Sequence, residues 1–296
     1  MRSSFLVAAV LWLSAGHHLV AQPASPNQAT VAYLHSLATP GGGYAPSAAP
    51  AGSTPQPRLG ATTSAVRALK YFGDQPRDLE ATTKFVASCY DEATGGFGDT
   101  PGAKPTANTT AVGIMAAVDL HMPLNRYRAG VVKYLSENAK SLEEIRLAAA
   151  AFEALQMKAP KADEWLRQIA RERNADGTFG EGPGAARATG GTAAMILRLG
   201  GPLEHRDAVL RTMRAGQRSD GGFGPADKPT SDLGSTYRVM RAFMMLKEPP
   251  AEPEKVRAFI ARCRNADGGY GEAPRQPSTA SGTYYAGIVL HWLGTR

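Results

Sequence analysis

Asp220-Gly221-Gly222-Phe223-Gly224 recurs in variant form four more times: Gly41-Gly42-Gly43-Tyr44, Gly95-Gly96-Phe97-Gly98, Asp176-Gly177-Thr178-Phe179 and Asp267-Gly268-Gly269-Tyr270. Self-similarity of this kind marks a repeat architecture, in which one supersecondary unit is stacked many times. Each copy follows an amphipathic stretch (27–38, 78–90, 161–174, 203–218, 253–265) and precedes a more apolar one (59–73, 106–121, 186–200, 231–247, 278–293). Between the second and third copies there is room for one more pair, 124–140 and 141–158, joined through Ser136-Glu137-Asn138-Ala139-Lys140 in place of a glycine loop. Six pairs result.

Apolar residues recur at three and four positions in both classes of segment, which predicts helices. In Val256, Phe259, Ile260 and Cys263 the stripe is narrow and flanked by Lys255, Arg257, Arg262 and Arg264, so that helix faces solvent on one side. The runs Val239–Leu246 and Thr283–Leu290 are apolar over most of their circumference and belong in the interior. One-sided and wrapped-around helices alternating through six hairpins predict an all-α fold, an α/α toroid of six inner and six outer helices.

The loop glycines have a local reason: a helix commonly ends on a residue at positive φ, and Asn265-Ala266-Asp267-Gly268 reads as such a stop. The following aromatic is expected to tuck between hairpins. Calcium binding would need several carboxylates at alternate positions of one loop, and each loop has one or two.

With 296 residues and 43% hydrophobic content, and no linker long enough to separate two units, one domain is expected. The longest irregular segment, Thr39 to Gly60, reads as an enlarged first loop. A net charge of +7 is spread over outer-helix residues such as Arg167, Arg171, Arg206 and Arg211, without the concentrated basic face that nucleic-acid binding requires.

Arg2, the apolar run Phe5 to Leu13 and small residues near Ala21 read as a secretory signal peptide, giving a leader over 1–21 and a mature toroid over 22–296. The run is short for a membrane span, so an exported, periplasmic or extracellular protein is expected rather than a transmembrane one. Export permits a disulfide, yet Cys89 and Cys263 fall in repeats two and six, which are not neighbours around the ring. Two buried free thiols are expected.

Glycine-aromatic loops joining the hairpins of a six-hairpin toroid resemble the prenyltransferase β-subunit and squalene cyclase superfamily, and Gln217-Arg218-Ser219-Asp220-Gly221-Gly222-Phe223 resembles the cyclases' Gln-Trp repeat with Phe for Trp. The resemblance covers essentially the whole mature chain and implies fold, not activity. In the prenyltransferase branch it implies a zinc site of an Asp-x-Cys pair and a later His. Asp232 falls on the Asp, but Gly234 stands where the Cys would be and Gly282 where the His would be. A lone carboxylate does not hold zinc, so no metal and no cofactor are expected, and Asp232 also reads as a helix N-cap. The Asp-x-Asp-Asp acid of the cyclases and the Gly-Cys-Gly-Glu-Gln segment of complement thioester domains are absent. His35, His121, His205 and His291 lie at unrelated positions, and His121 and His291 read as structural.

If the second helices are inner, their first turns bring Thr62 and Thr63, Thr109 and Thr110, Gly191 and Thr192, Ser235 and Thr236, and Gly282 and Thr283 to one mouth. The same hydroxyls also read as partners of helix-start amides. Tyr237, Tyr284 and Tyr285 combine an apolar body with a polar tip suited to a ligand. The candidate ligand-binding residues are therefore Asp232, Thr236, Tyr237, Thr283 and Tyr284. Two functions are expected to compete: an exported binding module for an isoprenoid or other apolar ligand, or for a protein, and a farnesyl- or geranylgeranyltransferase-like enzyme with a non-standard site.

Overall fold

The computed structural model describes residues 26–50 and 52–294, and the leader and its cleavage region lie outside them. Twelve α-helices occur among the described residues. Six are outer: α1 (Pro26–Ser36), α3 (Leu79–Ser88), α5 (Arg128–Asn138), α7 (Ala162–Ala170), α9 (Arg206–Ala215) and α11 (Pro253–Arg262). Six are inner: α2 (Leu59–Phe72), α4 (Ala107–Asp119), α6 (Leu142–Ala154), α8 (Ala185–Arg198), α10 (Leu233–Leu246) and α12 (Ala280–Gly294). Each inner helix packs on the next, α2 on α4 through to α10 on α12, and α12 packs back on α2. The ring closes, and the fold is an α/α toroid.

The two burial patterns follow the two sequence patterns. Outer α11 buries Val256, Phe259 and Ile260 and leaves Lys255 and Arg262 exposed. Inner α12 buries Tyr284, Ala286, Ile288, Val289 and Leu293 among others. The link between α5 and α6 is shorter than expected, because α5 continues through Asn138 and Ser141 starts α6 at once. Ser141 and Glu144 form a reciprocal capping box there, which satisfies two helix-start amides within four residues. The irregular first loop ends at Arg58, two residues before Gly60, and α2 begins at Leu59.

The glycine loops are joints between repeats as well as helix stops. Gly221 has φ 89° and Gly268 has φ 87°. A Cβ on Gly221 would overlap the carbonyl of Lys255 on α11, and one on Gly268 would overlap the carbonyl of Ala29 on α1. Only glycine allows both the left-handed backbone and that approach to the next outer helix, and at Gly268 the contact seals the last repeat to the first. Two loops also form minimal antiparallel hairpins, β1 (Tyr90–Asp91) with β2 (Gly96–Phe97) and β3 (Tyr270–Gly271) with β4 (Ser278–Thr279).

Each loop aromatic is buried and held by a threonine of the following inner helix. The backbone N–H groups of Tyr44, Phe97, Phe179, Phe223 and Tyr270 donate to Oγ1 of Thr62, Thr110, Thr189, Thr236 and Thr283 at 2.9, 3.0, 3.0, 3.1 and 3.1 Å. Thr236→Val is expected to cost about 1–3 kcal/mol, because it strands a buried amide, whereas Thr236→Ser should recover most of the loss in urea unfolding. Equal stability of the Val variant and wild type would show that this bond is not a structural pin.

Cys89 and Cys263 are buried free thiols, and burial pushes both thiols up to about 12. No helix among the described residues is long and apolar enough to cross a membrane.

Candidate functional site: the cavity on the toroid axis

All six inner helices contribute to one cavity of about 170 Å³. Its apolar wall is made by Val112 and Met115 of α4 and Leu147 and Ala150 of α6, and its aromatic wall by Tyr237 of α10 with Tyr284 and Tyr285 of α12. Tyr237 stacks on Tyr285 at 5.0 Å and on Trp292 at 5.7 Å.

Much of the remaining lining is charged. Arg67, Arg146, Arg198 and Arg241 face the cavity with Glu153. Two Arg–Glu–Arg bridges cross from α6. Glu143 accepts from Arg146 at 2.6 Å and from Arg238 at 2.9 and 3.0 Å, and Glu153 accepts from Arg198 at 2.9 Å and Arg241 at 2.6 Å. Arg67 pairs with Asp119 at 2.7 Å and donates to the Tyr284 hydroxyl at 3.2 Å. Isolated charges are expelled from protein interiors unless paired, and these pairings allow guanidiniums inside an otherwise apolar ring.

The same guanidiniums set the ionisation of the neighbouring groups. Burial would raise the Tyr237 phenol, but Arg198, Arg241 and Arg67 outweigh it and bring it down to about 8. Tyr284 moves the other way, raised by burial and by the neighbouring Tyr237. Burial would also raise Glu143, yet Arg146 and Arg238 hold it down at about 2.

The residues singled out from sequence divide between this cavity and its supports. Tyr237 and Tyr284 line the cavity together with Tyr285. Thr236 and Thr283 do not reach it. They are fully buried, with their hydroxyls turned outward to the loop amides. The expected mouth of small hydroxyls is corrected accordingly: Thr63 lines the cavity, Thr62 and Thr110 are loop pins, Thr192 does not line the cavity, and the loop of Phe179 is pinned by Thr189. In that repeat the loop aromatic lies ten residues before its threonine, against thirteen in the loops of Phe97, Phe223 and Tyr270.

Asp232 borders a separate pocket of about 430 Å³ at the loop end, with Arg187, Asp227, Lys228, Arg238 and Glu272. Its carboxylate caps α10, accepting from Ser235 N at 2.6 Å and from Ser235 Oγ at 2.9 Å. The positions that the resemblance would assign to zinc do not fit the ion. Asp232 is engaged with Ser235, Gly234 has no donor, and a Cβ at Gly282 would lie 2.5 Å from the Tyr270 carbonyl oxygen. Among the described residues no three His, Cys, Asp or Glu side chains come together as metal ligands. Asp232→Ala is expected to lower stability by about 1 kcal/mol in urea unfolding, as for a lost N-cap.

The sequence reading missed Arg67, Asp119, Glu143, Arg146, Glu153, Arg198, Arg238 and Arg241. A signal was present: an ionisable residue in a helix apolar on all sides has no solvent to face, so Arg241 within Val239–Leu246 had to point to a partner or a cavity.

The family model of the prenyltransferase alpha-alpha toroid domain matches residues 2–80, 76–122 and 125–295. The chain belongs to the prenyltransferase α/α toroid family. The chain is similar to drimenyl diphosphate synthase from Streptomyces showdoensis, 28% identical over 148 residues, covering 45% of this chain and 28% of that protein. The chain thus spans about a quarter to a third of the length of that curated relative. Among solved structures it is similar to Candida albicans protein geranylgeranyltransferase-I complexed with GGPP, with a TM-score of 0.62 at 15% identity over 79% of this chain and 83% of that one. The type II terpene cyclase MstE from Scytonema superposes with a TM-score of 0.62 at 11% identity over 90% of this chain and 96% of that one. At such identities these structures share the toroid fold with this chain.

Proposed function

We propose that this toroid is an exported binding module that holds a small isoprenoid amphiphile in its axial cavity, without thiol transfer at a zinc centre. The observation that carries the reading is the cavity's mixed lining: Val112, Met115, Leu147 and Ala150 supply apolar surface, and guanidiniums lie against the tyrosines that complete it. Pockets of that kind bury an apolar body and fix it by few polar groups. Relatives whose names refer to GGPP and to drimenyl diphosphate support isoprenoid diphosphates as the class. Size narrows it: a cavity of roughly 150 Å³ takes a benzene-sized guest, so about 170 Å³ encloses about one isoprene unit of a ligand whose remainder extends out of the cavity, rather than a buried twenty-carbon chain. The poor fit of Asp232, Gly234 and Gly282 to zinc supports binding over thiol transfer.

The test is calorimetric titration of geranyl diphosphate into the mature chain in chelator. One-to-one binding that Ala150→Phe abolishes with unchanged circular dichroism is expected, because the ring would fill the cavity. Binding that survives the filled cavity would place the ligand elsewhere and end this reading. Export is tested separately by N-terminal sequencing of the secreted chain, which should begin near Gln22.

A further inference from the structure

The loop-end pocket of about 430 Å³ holds charges of both signs that do not satisfy one another. Arg238 is already tied to Glu143 by two bonds, and Asp227 and Lys228 are exposed at the rim. Among the described residues, the other three charged groups of the lining, Arg187, Asp232 and Glu272, form no ion pair. Arg187 Nε is buried without a hydrogen-bond partner. The Asp232 carboxylate accepts only from Ser235, and the Glu272 carboxylate only from the hydroxyls of Ser281 at 2.6 Å and Thr279 at 3.4 Å, both at Oε1. Partly buried charges of this kind are costly unless a partner answers them.

The two carboxylates converge on a space left open by a glycine. A Cβ on Gly234 would lie 3.3 Å from Asp232 Oδ1, 4.0 Å from Glu272 Oε2 and 3.6 Å from the Tyr285 ring. Gly234 is the second residue of α10 and has no positive φ, so backbone conformation does not require the glycine. Two carboxylate oxygens beside an aromatic ring suit an ammonium group, through charge-assisted hydrogen bonds and cation–π attraction. The guanidiniums lie further along the helix: Asp232 and Arg238 are six residues apart on α10, a rise of about 9 Å, and Arg187 is in the first turn of α8. Burial, Arg146 and Arg187 together lower the Arg238 pKa, which places Arg187 near Arg238. A lone cation in the pocket would be repelled by these guanidiniums, and a lone anion by the carboxylates.

We propose that this pocket binds a small zwitterion, an amino acid whose ammonium and carboxylate are several bonds apart. The ammonium enters the space beside Gly234, between Asp232, Glu272 and the Tyr285 ring, and the carboxylate meets Arg187 beside Arg238. A guanidinium fork matches a carboxylate through paired bonds, and each end of the ligand answers a charge that the protein leaves open. The site is separate from the axial cavity and does not depend on what that cavity holds, although Tyr285 lines both.

Calorimetric titration of ε-aminocaproate, n-hexylamine and hexanoate into the full mature chain tests the proposal, because the last two are the singly charged halves of the first. The zwitterion should bind one-to-one, and each half about tenfold or more weakly, the scale of a lost charge-assisted bond. Gly234→Ala places a methyl group where the ammonium would sit, in a helix that favours alanine over glycine. Its Tm should hold while ε-aminocaproate affinity falls about tenfold or more. Arg187→Gln should weaken ε-aminocaproate to a similar degree and leave n-hexylamine no weaker. Ala150→Phe, which fills the axial cavity, should leave ε-aminocaproate within about twofold of wild type. Equal affinity for the zwitterion and either half, binding that survives Gly234→Ala or Arg187→Gln, or no binding at millimolar concentration would overturn the proposal. Binding lost in Ala150→Phe would place the ligand in the axial cavity and overturn it as well.

Discussion

Phe223→Ala is expected to lower the unfolding free energy by about 3–5 kcal/mol, the range for emptying a buried phenylalanine site. Phe223 is fully buried, its amide is pinned to Thr236, and it forms a bridge with Asp232 at the start of α10. The neighbours cannot easily collapse into the void, because the loop is held at both ends: Gly221 lies against α11, and Ser231 is bonded through Oγ to Asp220 at 2.7 Å. For a domain of this size the loss corresponds to a fall in Tm on the order of 10 °C. Phe223→Leu keeps most of the volume and should cost about 1.5 kcal/mol or less. A Phe223→Ala loss below about 1 kcal/mol would mean that the loop aromatics decorate the ring rather than space its hairpins.

Glu153→Gln is expected to cost about 2 kcal/mol, less than the 3–5 of a fully buried pair, since the Glu153 side chain is 40% exposed. It leaves Arg198 and Arg241 side by side with no carboxylate between them. Burial would raise the Glu153 pKa, but Arg198 and Arg241 together lower it below the usual 4.5. A depressed carboxyl pKa stabilises the fold above the unfolded value and loses that contribution as pH falls through the folded one. Wild-type stability should therefore decline on acidification below about pH 4.5, and the gap between wild type and variant should narrow there. A gap independent of pH would show that the cost comes from packing instead of charge.

The architecture was legible because a glycine loop recurs in five of the six hairpins and because inner and outer helices differ in how far round their surface is apolar. Val256, Phe259 and Ile260 on one stripe of α11 could only be an outer helix. The cavity was less legible for a related reason. An inner helix has one apolar face toward the outer ring and another toward the lumen, and periodicity merges the two into one apolar surface. Tyr237 and Tyr284 could be chosen as amphipathic residues on such helices, but not Arg241 or Arg198, whose pairing with Glu153 joins positions 88 and 45 residues apart. Thr236 and Thr283 were drawn into the site because a hydroxyl on a first turn looks the same in sequence whether it faces a ligand or a loop amide. Which one it faces depends on the rotation of the helix, which the neighbouring repeat sets.

Native mass spectrometry of the mature chain with geranyl diphosphate, expressed with export and without added metal, tests the central claim that the axial cavity binds an isoprenoid amphiphile independently of zinc. A one-to-one ligand adduct on a zinc-free chain, absent from Ala150→Phe, is the expected spectrum. Stoichiometric zinc, with the ligand held only when the metal is present, would contradict it.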